Sequence, residues 1–373
     1  MRIGMVCYPT YGGSGVVATE LGKALAAKGH EVHFITYNTP VRLGSFMPNI
    51  FYHEVRISDY PLFDYPPYEL VLASKMVEVA RDHELDLLHV HYAIPHASAA
   101  ITAKNILAEE GINMPIITTL HGTDITLLGR DPSFEPVISF AINSSDAVTA
   151  VSNDLKNATF KLFGVNKEIE VIPNFYCPSH YQITPNEEFR KQVAPEGQPI
   201  ITHISNFRPV KRILDVVDTF AYISKELDVR LLLVGDGPDR NIAEHRCKEL
   251  GIDDKVTVLG KVKNPIEPLL VSDLFLLPSE TESFGLAALE AMAAGVPVIS
   301  SNTGGIPELN RHGVSGTMRD VGDVEGMGKD GVKILRDPDV LATFKKAAFA
   351  RADVFRIDFI LPKYLALYAK ISE

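Results

Sequence analysis

The sequence predicts an α/β protein made of two doubly wound parallel sheets, and three observations carry that prediction. The chain has 373 residues, more than twice the roughly 150 residues of a typical domain. Apolar runs of strand length alternate with segments of helical period along nearly all of it. The alternation breaks once, in a polar stretch after residue 171, and then starts again.

The first half opens with a strand over residues 3–7, a helix over 16–27 and a strand over 31–36, the βαβ rhythm of a parallel sheet. A strand over 87–91, a helix over 97–108, a strand over 115–120 and a strand over 147–151 leading into a helix from Asn153 continue it. These strands are apolar on both faces, as a sheet covered by helices requires. VIPNFYCPSHY and the charged, breaker-rich TPNEEFRKQVAPEGQP then mark a domain junction, with a hinge expected over residues 174–181. The rhythm resumes with strands over 200–205, 230–234, 256–259, 274–277 and 296–300 and a helix over 213–223. An irregular connection leads to one last helix over 355–370.

Hydrophobic residues make up 46% and charged residues 22%, close to globular averages, so disorder is not expected. No run approaches the roughly 18 apolar residues of a membrane span, and no small-residue cleavage site follows the amino-terminal strand, so a cytoplasmic protein is expected. The net charge of −11 opposes general attraction to nucleic acid or anionic lipid. Any anionic substrate must be held by local donors. Cys7, Cys177 and Cys247 are odd in number and widely spaced, which supports neither a disulfide framework nor a zinc site and reads as small core residues.

Open α/β sheets bind ligands at the carboxyl ends of their strands, so the loops there hold the candidate chemistry. In residues 11–18, Gly13, Gly15 and Ala18 fit G-x-G-x-x-A at the start of a helix, where backbone N–H groups can approach a phosphate. A nicotinamide enzyme would add an acid at the end of strand two, but Thr36, Tyr37 and Asn38 stand there. A tight turn without ligand is the alternative. Leu120-His121-Gly122-Thr123-Asp124 puts an imidazole just past another strand, in a catalytic or a structural role. His89, His91 and His96 surround a neighbouring strand end without a recognised metal-ligand spacing.

SNFRPVKR gathers Arg208, Lys211 and Arg212 at a helix start. Cations there oppose the helix dipole unless an anion intervenes, which favours a diphosphate site over a solvated basic turn. PSETESFGLAALE sets Glu282 and Glu290 eight apart, one in a loop and one about two turns along the following helix. Residues Ser283, Phe284, Gly285 and Leu286 would open that helix and present N–H groups to a phosphate, while the carboxylates accept from sugar hydroxyls. Solvated surface glutamates are the plainer alternative.

In this order the four segments resemble the retaining, nucleotide-sugar-dependent glycosyltransferases of family four, which share the GT-B architecture of two Rossmann-like domains facing across a cleft. Glu282 to Glu290 matches their E-x7-E signature, and AMAAGVPVISSNTGGIPEL is its usual continuation. YGGSG, HVHYAIPH, LHGTD and SNFRPVKR narrow the likeness to transfer of N-acetylglucosamine from UDP-N-acetylglucosamine to the hydroxyl of L-malate, the first step of bacillithiol biosynthesis. The resemblance implies an acceptor-binding domain over 1–175, a nucleotide-sugar-binding domain over 176–354, and a helix over 355–373 packing back on the first. It also implies no cofactor and no required metal; no nucleic-acid partner or membrane insertion is expected, and a homo-oligomer is compatible with it.

Carried onto this chain, the resemblance gives Glu290 the ribose hydroxyls, Glu282 the region of the sugar's 3-hydroxyl, and the backbone of residues 283–286 the donor head. His121 contacts the sugar's 6-hydroxyl, Gly15 offers its N–H to the diphosphate, and Lys211 and Arg208 neutralise the departing UDP. The family usually has Arg where this chain has Asn206, and the nearest arginine is Arg208. Malate's hydroxyl attacks from the side UDP leaves, a donor phosphate oxygen takes the proton, and no protein nucleophile is needed. Asp337-Pro338-Asp339, the one D-x-D, lies away from these motifs. For the dianionic acceptor the candidates are Ser14, Tyr92, Thr119, Asn153 and Arg130. Competing readings are another acceptor (an inositol phosphate, a sugar or a lipid-linked glycan), a UDP-sugar epimerase, and a nucleotide-sugar sensor without turnover; a helix over 16–27 holding Lys23 alone as a cation disfavours a lipid acceptor.

Overall fold

The computed structural model describes residues 1–10, 12–44, 46–57, 66–127, 129 and 131–372. Its contacts divide the chain into two units, one of residues 1–174 with 357–373 and the other of residues 175–356.

The first unit holds strands β1 (Arg2–Val6), β2 (Glu31–Thr36), β3 (Ile50–Glu54), β4 (Leu87–His91), β5 (Ile116–Leu120), β6 (Ala147–Ala150) and β7 (Ile169–Val171). They pair in parallel in the order β3-β2-β1-β4-β5-β6-β7. Helices α1 (Gly13–Ala27), α2 (Tyr68–Asp82), α3 (Ser98–Glu109), α4 (Glu135–Ser144) and α5 (Asn153–Leu162) connect them. The second unit holds β8 (Ile200–Ser205), β9 (Arg230–Gly235), β10 (Val256–Gly260), β11 (Leu274–Leu277), β12 (Val298–Ser301) and β13 (Gly316–Arg319), ordered β10-β9-β8-β11-β12-β13 and again parallel. Its helices are α6 (Glu187–Val193), α7 (Ile213–Glu226), α8 (Arg240–Glu249), α9 (Ile266–Leu270), α10 (Leu286–Ala293), α11 (Ile306–Leu309), α12 (Val324–Arg336) and α13 (Pro338–Ala352). The last helix, α14 (Ile357–Ser372), belongs to the first unit and packs with α1.

The central strands are buried along their length because helices cover both faces. Leu72 and Met76 of α2 and Ala100 and Ala103 of α3 close one face of the first sheet, and Val216, Val217 and Phe220 of α7 with Met327 and Ile334 of α12 do so in the second. Among the described residues no helix is long and apolar enough to cross a membrane. Cys7 and Cys247 are buried free thiols, and burial pushes Cys7 up to about 12.

One expectation changes. The connection before the last helix is not irregular but consists of α12 and α13; α13 buries only Ala348 and Ala352, too little for an apolar stripe to show. The D-x-D caps that helix: an Asp337 carboxylate oxygen accepts from the Asp339 N–H at 2.9 Å and the Val340 N–H at 3.4 Å.

In the first unit α14 sends Tyr368 into the sheet, where its hydroxyl lies 2.7 Å from His89 Nδ1. Tyr368→Phe leaves that buried nitrogen unpartnered. Thermal denaturation is expected to show the variant less stable by about 1–3 kcal/mol.

Candidate active site

In each sheet the strand order reverses beside the unit's first strand, between β1 and β4 and between β8 and β11. Loops leaving such neighbours diverge to opposite faces and open a crevice at their carboxyl ends. The motifs after β1, β8 and β11 sit on those loops, and the His121 motif sits on the loop of β5, next to β4 in the sheet.

After β1, Gly13 is the first residue of α1, and Gly12 caps it without a side-chain bond. The first N–H groups of a helix have no intrahelical acceptor, so Gly13, Ser14 and Gly15 present donors. Gly15 must lack a side chain, since a Cβ there would stand 2.4 Å from the Tyr8 carbonyl oxygen. The Ser14 hydroxyl accepts from the Tyr92 hydroxyl at 2.7 Å, which joins two acceptor candidates and leaves the serine proton to donate.

After β5, His121 stacks on His91 of β4, with ring centroids 5.0 Å apart, and His91 Nδ1 lies 2.7 Å from His121 Nε2. The other His91 nitrogen, Nε2, meets the Met5 sulfur at 3.3 Å. A thioether only accepts, so Nε2 of His91 carries its proton and Nδ1 accepts from Nε2–H of His121. The remaining nitrogen of His121, Nδ1, is then a bare acceptor. Burial keeps this imidazole neutral by lowering it to about 3. Asp124 fixes the loop, one carboxylate oxygen accepting from Ala93 N–H at 2.8 Å and the other from Gly122 N–H at 3.1 Å; burial raises the acid to about 6 against those bonds.

Thr119 is fully buried, and its hydroxyl meets His89 Nε2 at 2.8 Å, Thr149 Oγ1 at 2.7 Å and the Tyr364 hydroxyl. One donor and two lone pairs are thereby used, leaving nothing for a ligand. Asn153 is an exposed first residue of α5. Arg130 and Tyr11 lie outside the described residues.

In the second unit, Asn206 and Arg208 are exposed on the loop after β8. Lys211 donates to Glu282 Oε1 at 2.6 Å, and the Ser279 hydroxyl donates to the same oxygen at 2.8 Å. The three expected cations therefore find partial answers within the chain: Lys211 in Glu282, and Arg212 in Asp215 at 2.7 Å, while Arg208 makes no ion pair among the described residues. The helix after the Glu282 loop starts later than expected. Ser283 and Phe284 precede it, Phe284 buried edge-on to Phe355, and Gly285 caps α10 at φ +90°, where an L side chain is strained. The free first-turn donors are those of residues 286–288, and Glu290, 7% exposed, lies one turn further on.

Two family patterns cover these segments. The pattern described as Glycosyltransferase Family 4 matches residues 11–179, and that described as Glycosyl transferases group 1 matches residues 185–351. The N-acetyl-alpha-D-glucosaminyl L-malate synthase of Bacillus anthracis is 49% identical over 370 residues, 99% of this chain and 96% of that one. The chain belongs to glycosyltransferase family 4. Another relative, the D-inositol 3-phosphate glycosyltransferase of Thermobispora bispora, is 26% identical across 97% of this chain and 90% of its own. In fold the chain is similar to Anabaena HepE crystallised with UDP-glucose (TM-score 0.81, 22% identity, 99% of this chain and all of that one). It is similar also to the sucrose-phosphate synthase of Thermosynechococcus elongatus (TM-score 0.78, 22% identity, 99% and 98%).

This glycosyltransferase has supporting residues that motif reading missed. Gly235 ends β9 and Gly237 follows it, and a Cβ on them would stand 1.8 Å from the Ser205 carbonyl oxygen and 2.0 Å from that of Asn206. The G-x-G after a strand was the available signal. Buried His203 donates from Nδ1 to the Leu276 carbonyl at 2.8 Å and accepts at Nε2 from Ser205, whose oxygen also receives the Phe207 N–H.

Burial lowers His203 to about 4. Below the ordinary value of 6.5 the unfolded chain takes up a proton that the folded one refuses, so this stability is present above pH 6.5 and lost as pH falls toward 4. A His203→Gln glycosyltransferase should lose less stability than wild type on acidification, by about 1.4 kcal/mol per pH unit within that window. Melting temperature against pH measures it.

Proposed function

We propose that the chain transfers N-acetylglucosamine from UDP-N-acetylglucosamine to the hydroxyl of L-malate, with retention at the anomeric carbon and release of UDP. The single observation that carries the choice of substrates is the 49% identity with the B. anthracis synthase over 99% of the chain. An inositol phosphate acceptor has weaker support, from a relative at 26%. The product belongs to the start of bacillithiol biosynthesis.

In this reading Glu290 holds the ribose hydroxyls. Glu282 has Oε1 engaged by Lys211 and Ser279, so Oε2 accepts from the sugar's 3-hydroxyl. Lys211, with Arg208, faces the negative charge that grows on the departing diphosphate, where fixed cations lower the barrier most. The backbone of residues 283–286, Asn206, Gly13 and Gly15 contribute donor contacts. Nδ1 of His121 accepts from the sugar's 6-hydroxyl, a role its imposed tautomer suits. Ser14, whose proton the Tyr92 hydroxyl leaves free by donating to its oxygen, supplies a donor for malate's carboxylates together with Asn153 and Arg130, while Thr119 braces the network beneath His121.

The malate oxygen bonds to the anomeric carbon on the face that UDP vacates. Its proton passes to a donor phosphate oxygen, and the C–O bond to UDP breaks with its electron pair. No side chain forms a covalent intermediate.

UDP release from UDP-N-acetylglucosamine, followed with and without L-malate in EDTA, tests the reaction. Expected is malate-dependent release that EDTA does not abolish, with a product of the combined mass of N-acetylglucosamine and malate. Complete loss in EDTA restored by magnesium overturns the metal-free mechanism, and release indifferent to malate overturns the acceptor.

His121→Ala should lower kcat by about 10²–10³ and leave the UDP Kd within twofold of wild type in calorimetry. Equal losses in both would favour a sensor.

A further inference from the structure

Three histidines away from the strand-end loops meet at the outer edge of the first sheet. His33 lies on β2, His53 on β3, and His83 directly follows the last residue of α2. One ring nitrogen from each lies within 4.8 Å of the other two. The register explains the pairing: His33 is opposite Phe51, and Ile35 is opposite His53. Residues two apart on a strand share a face, so His33, Phe51 and His53 project together. His33 stacks on Phe51 at 4.7 Å, and its Nδ1 stands 2.9 Å from His53 Nε2. The His83 ring closes the group, with centroids 4.6 Å from His33 and 4.9 Å from His53.

Packing alone does not account for this cluster. His33 is 1% exposed, yet its Nε2 has no hydrogen-bond partner. A buried polar atom left in that state is costly unless another interaction compensates. Glu31 offers a carboxylate oxygen 3.9 Å from that Nε2, too far for a hydrogen bond. An imidazole with its outer N–H toward a carboxylate and its inner nitrogen toward a cluster has the arrangement of a metal ligand with its supporting acid.

We propose that His33 Nδ1, His53 Nε2 and His83 bind one divalent transition-metal ion, with Zn²⁺ the best match. Three imidazoles suit a borderline-soft cation and fill three of four tetrahedral positions. Zinc-to-nitrogen bonds of roughly 2.0–2.1 Å put ligand atoms roughly 3.3 Å apart. His33 and His53 already stand close to that, and the half-buried His83 ring closes by side-chain rotation. A water molecule takes the fourth position, since His53 and His83 both reach solvent. Burial, then repulsion from His53 and His83, holds His33 at about 4, and burial also lowers His53, so both are in the neutral form that ligates. Around the cluster Glu31 of β2 and Glu78 and Asp82 of α2 add negative charge, against Lys75 of α2 and Arg2 of β1. The ion would tie β3, which among the described residues pairs with β2 alone, to the end of α2. It takes no part in sugar transfer.

The test uses the full chain stripped with chelator and desalted, titrated with Zn²⁺ alone, beside His53→Gln and His83→Gln. Both substitutions fall at half-buried positions, and an unchanged malate-dependent rate confirms that the variants fold. Wild type should bind one more equivalent of Zn²⁺ than either variant. At about a hundredfold excess over Kd its melting temperature should rise on the order of 5 °C, a shift the variants lack. Co²⁺ should give the intense visible absorption of a four-coordinate site in wild type only. Equal stoichiometry and equal thermal response in all three proteins would overturn the proposal.

Discussion

Parallel strands covered by helices on both faces can keep a polar side chain only if it finds a partner or sits at a strand end. This constraint organises both units. Glu282 comes largely out of water in the loop after β11 because Lys211, from the loop after β8, and Ser279 both donate to one of its oxygens. The Glu280 N–H donates to the Val210 carbonyl at 2.8 Å and fastens the same two loops by their backbones. Removing either charge would strand the other in a half-buried position, which is far costlier than never having placed the pair. The candidate site of the second unit thus rests on a contact between two strand ends that the reversal of strand order makes neighbours.

In the first unit the same constraint acts on protons. His89, Thr119, Thr149, Tyr364 and Tyr368 bond to one another inside the sheet, and His91 with His121 continues the polar column toward the loops. Each ring nitrogen in such a column must be assigned as donor or acceptor, and one acceptor-only atom is enough to set the order. The Met5 sulfur is that atom. A residue that looks like plain core in β1 therefore decides which nitrogen of His121 faces outward without a proton.

The covered central strands were legible because continuous apolar runs between turn signals have few other readings. Three of the four edge strands were not: β3 is mostly exposed, β7 has three residues, and β13 carries one apolar side chain, Met318. Polar helices such as α8, which buries only Ala243 and Cys247, carry too little periodicity to stand out. At the site, the eight-residue spacing of Glu282 and Glu290 and the cations of SNFRPVKR could be read locally. Their coupling could not, since Lys211 and Glu282 are 71 residues apart and meet through β8–β11 pairing. The same limit hid Gly235 and Gly237, whose need for bare α-carbons comes from carbonyls on the neighbouring strand's loop, and the joining of Ser14 to Tyr92. The start of α10 was misplaced because Gly285 reads as part of a helix until its positive φ is seen.

The route of the backbone bears on how the protein can be made. The first unit is interrupted in sequence by the whole of the second, and the two tyrosines that complete its buried hydrogen bonds come from α14. A ribosome delivering the chain from its amino terminus emits β1 to β7 first, then the continuous second unit, and the closing helix last. Until residues 357–372 emerge, His89 and Thr119 lack their tyrosine partners, so the nascent first unit must wait with an open sheet face. The second unit is continuous from Phe175 to Arg356, so all of it has been delivered before the helix that completes the first.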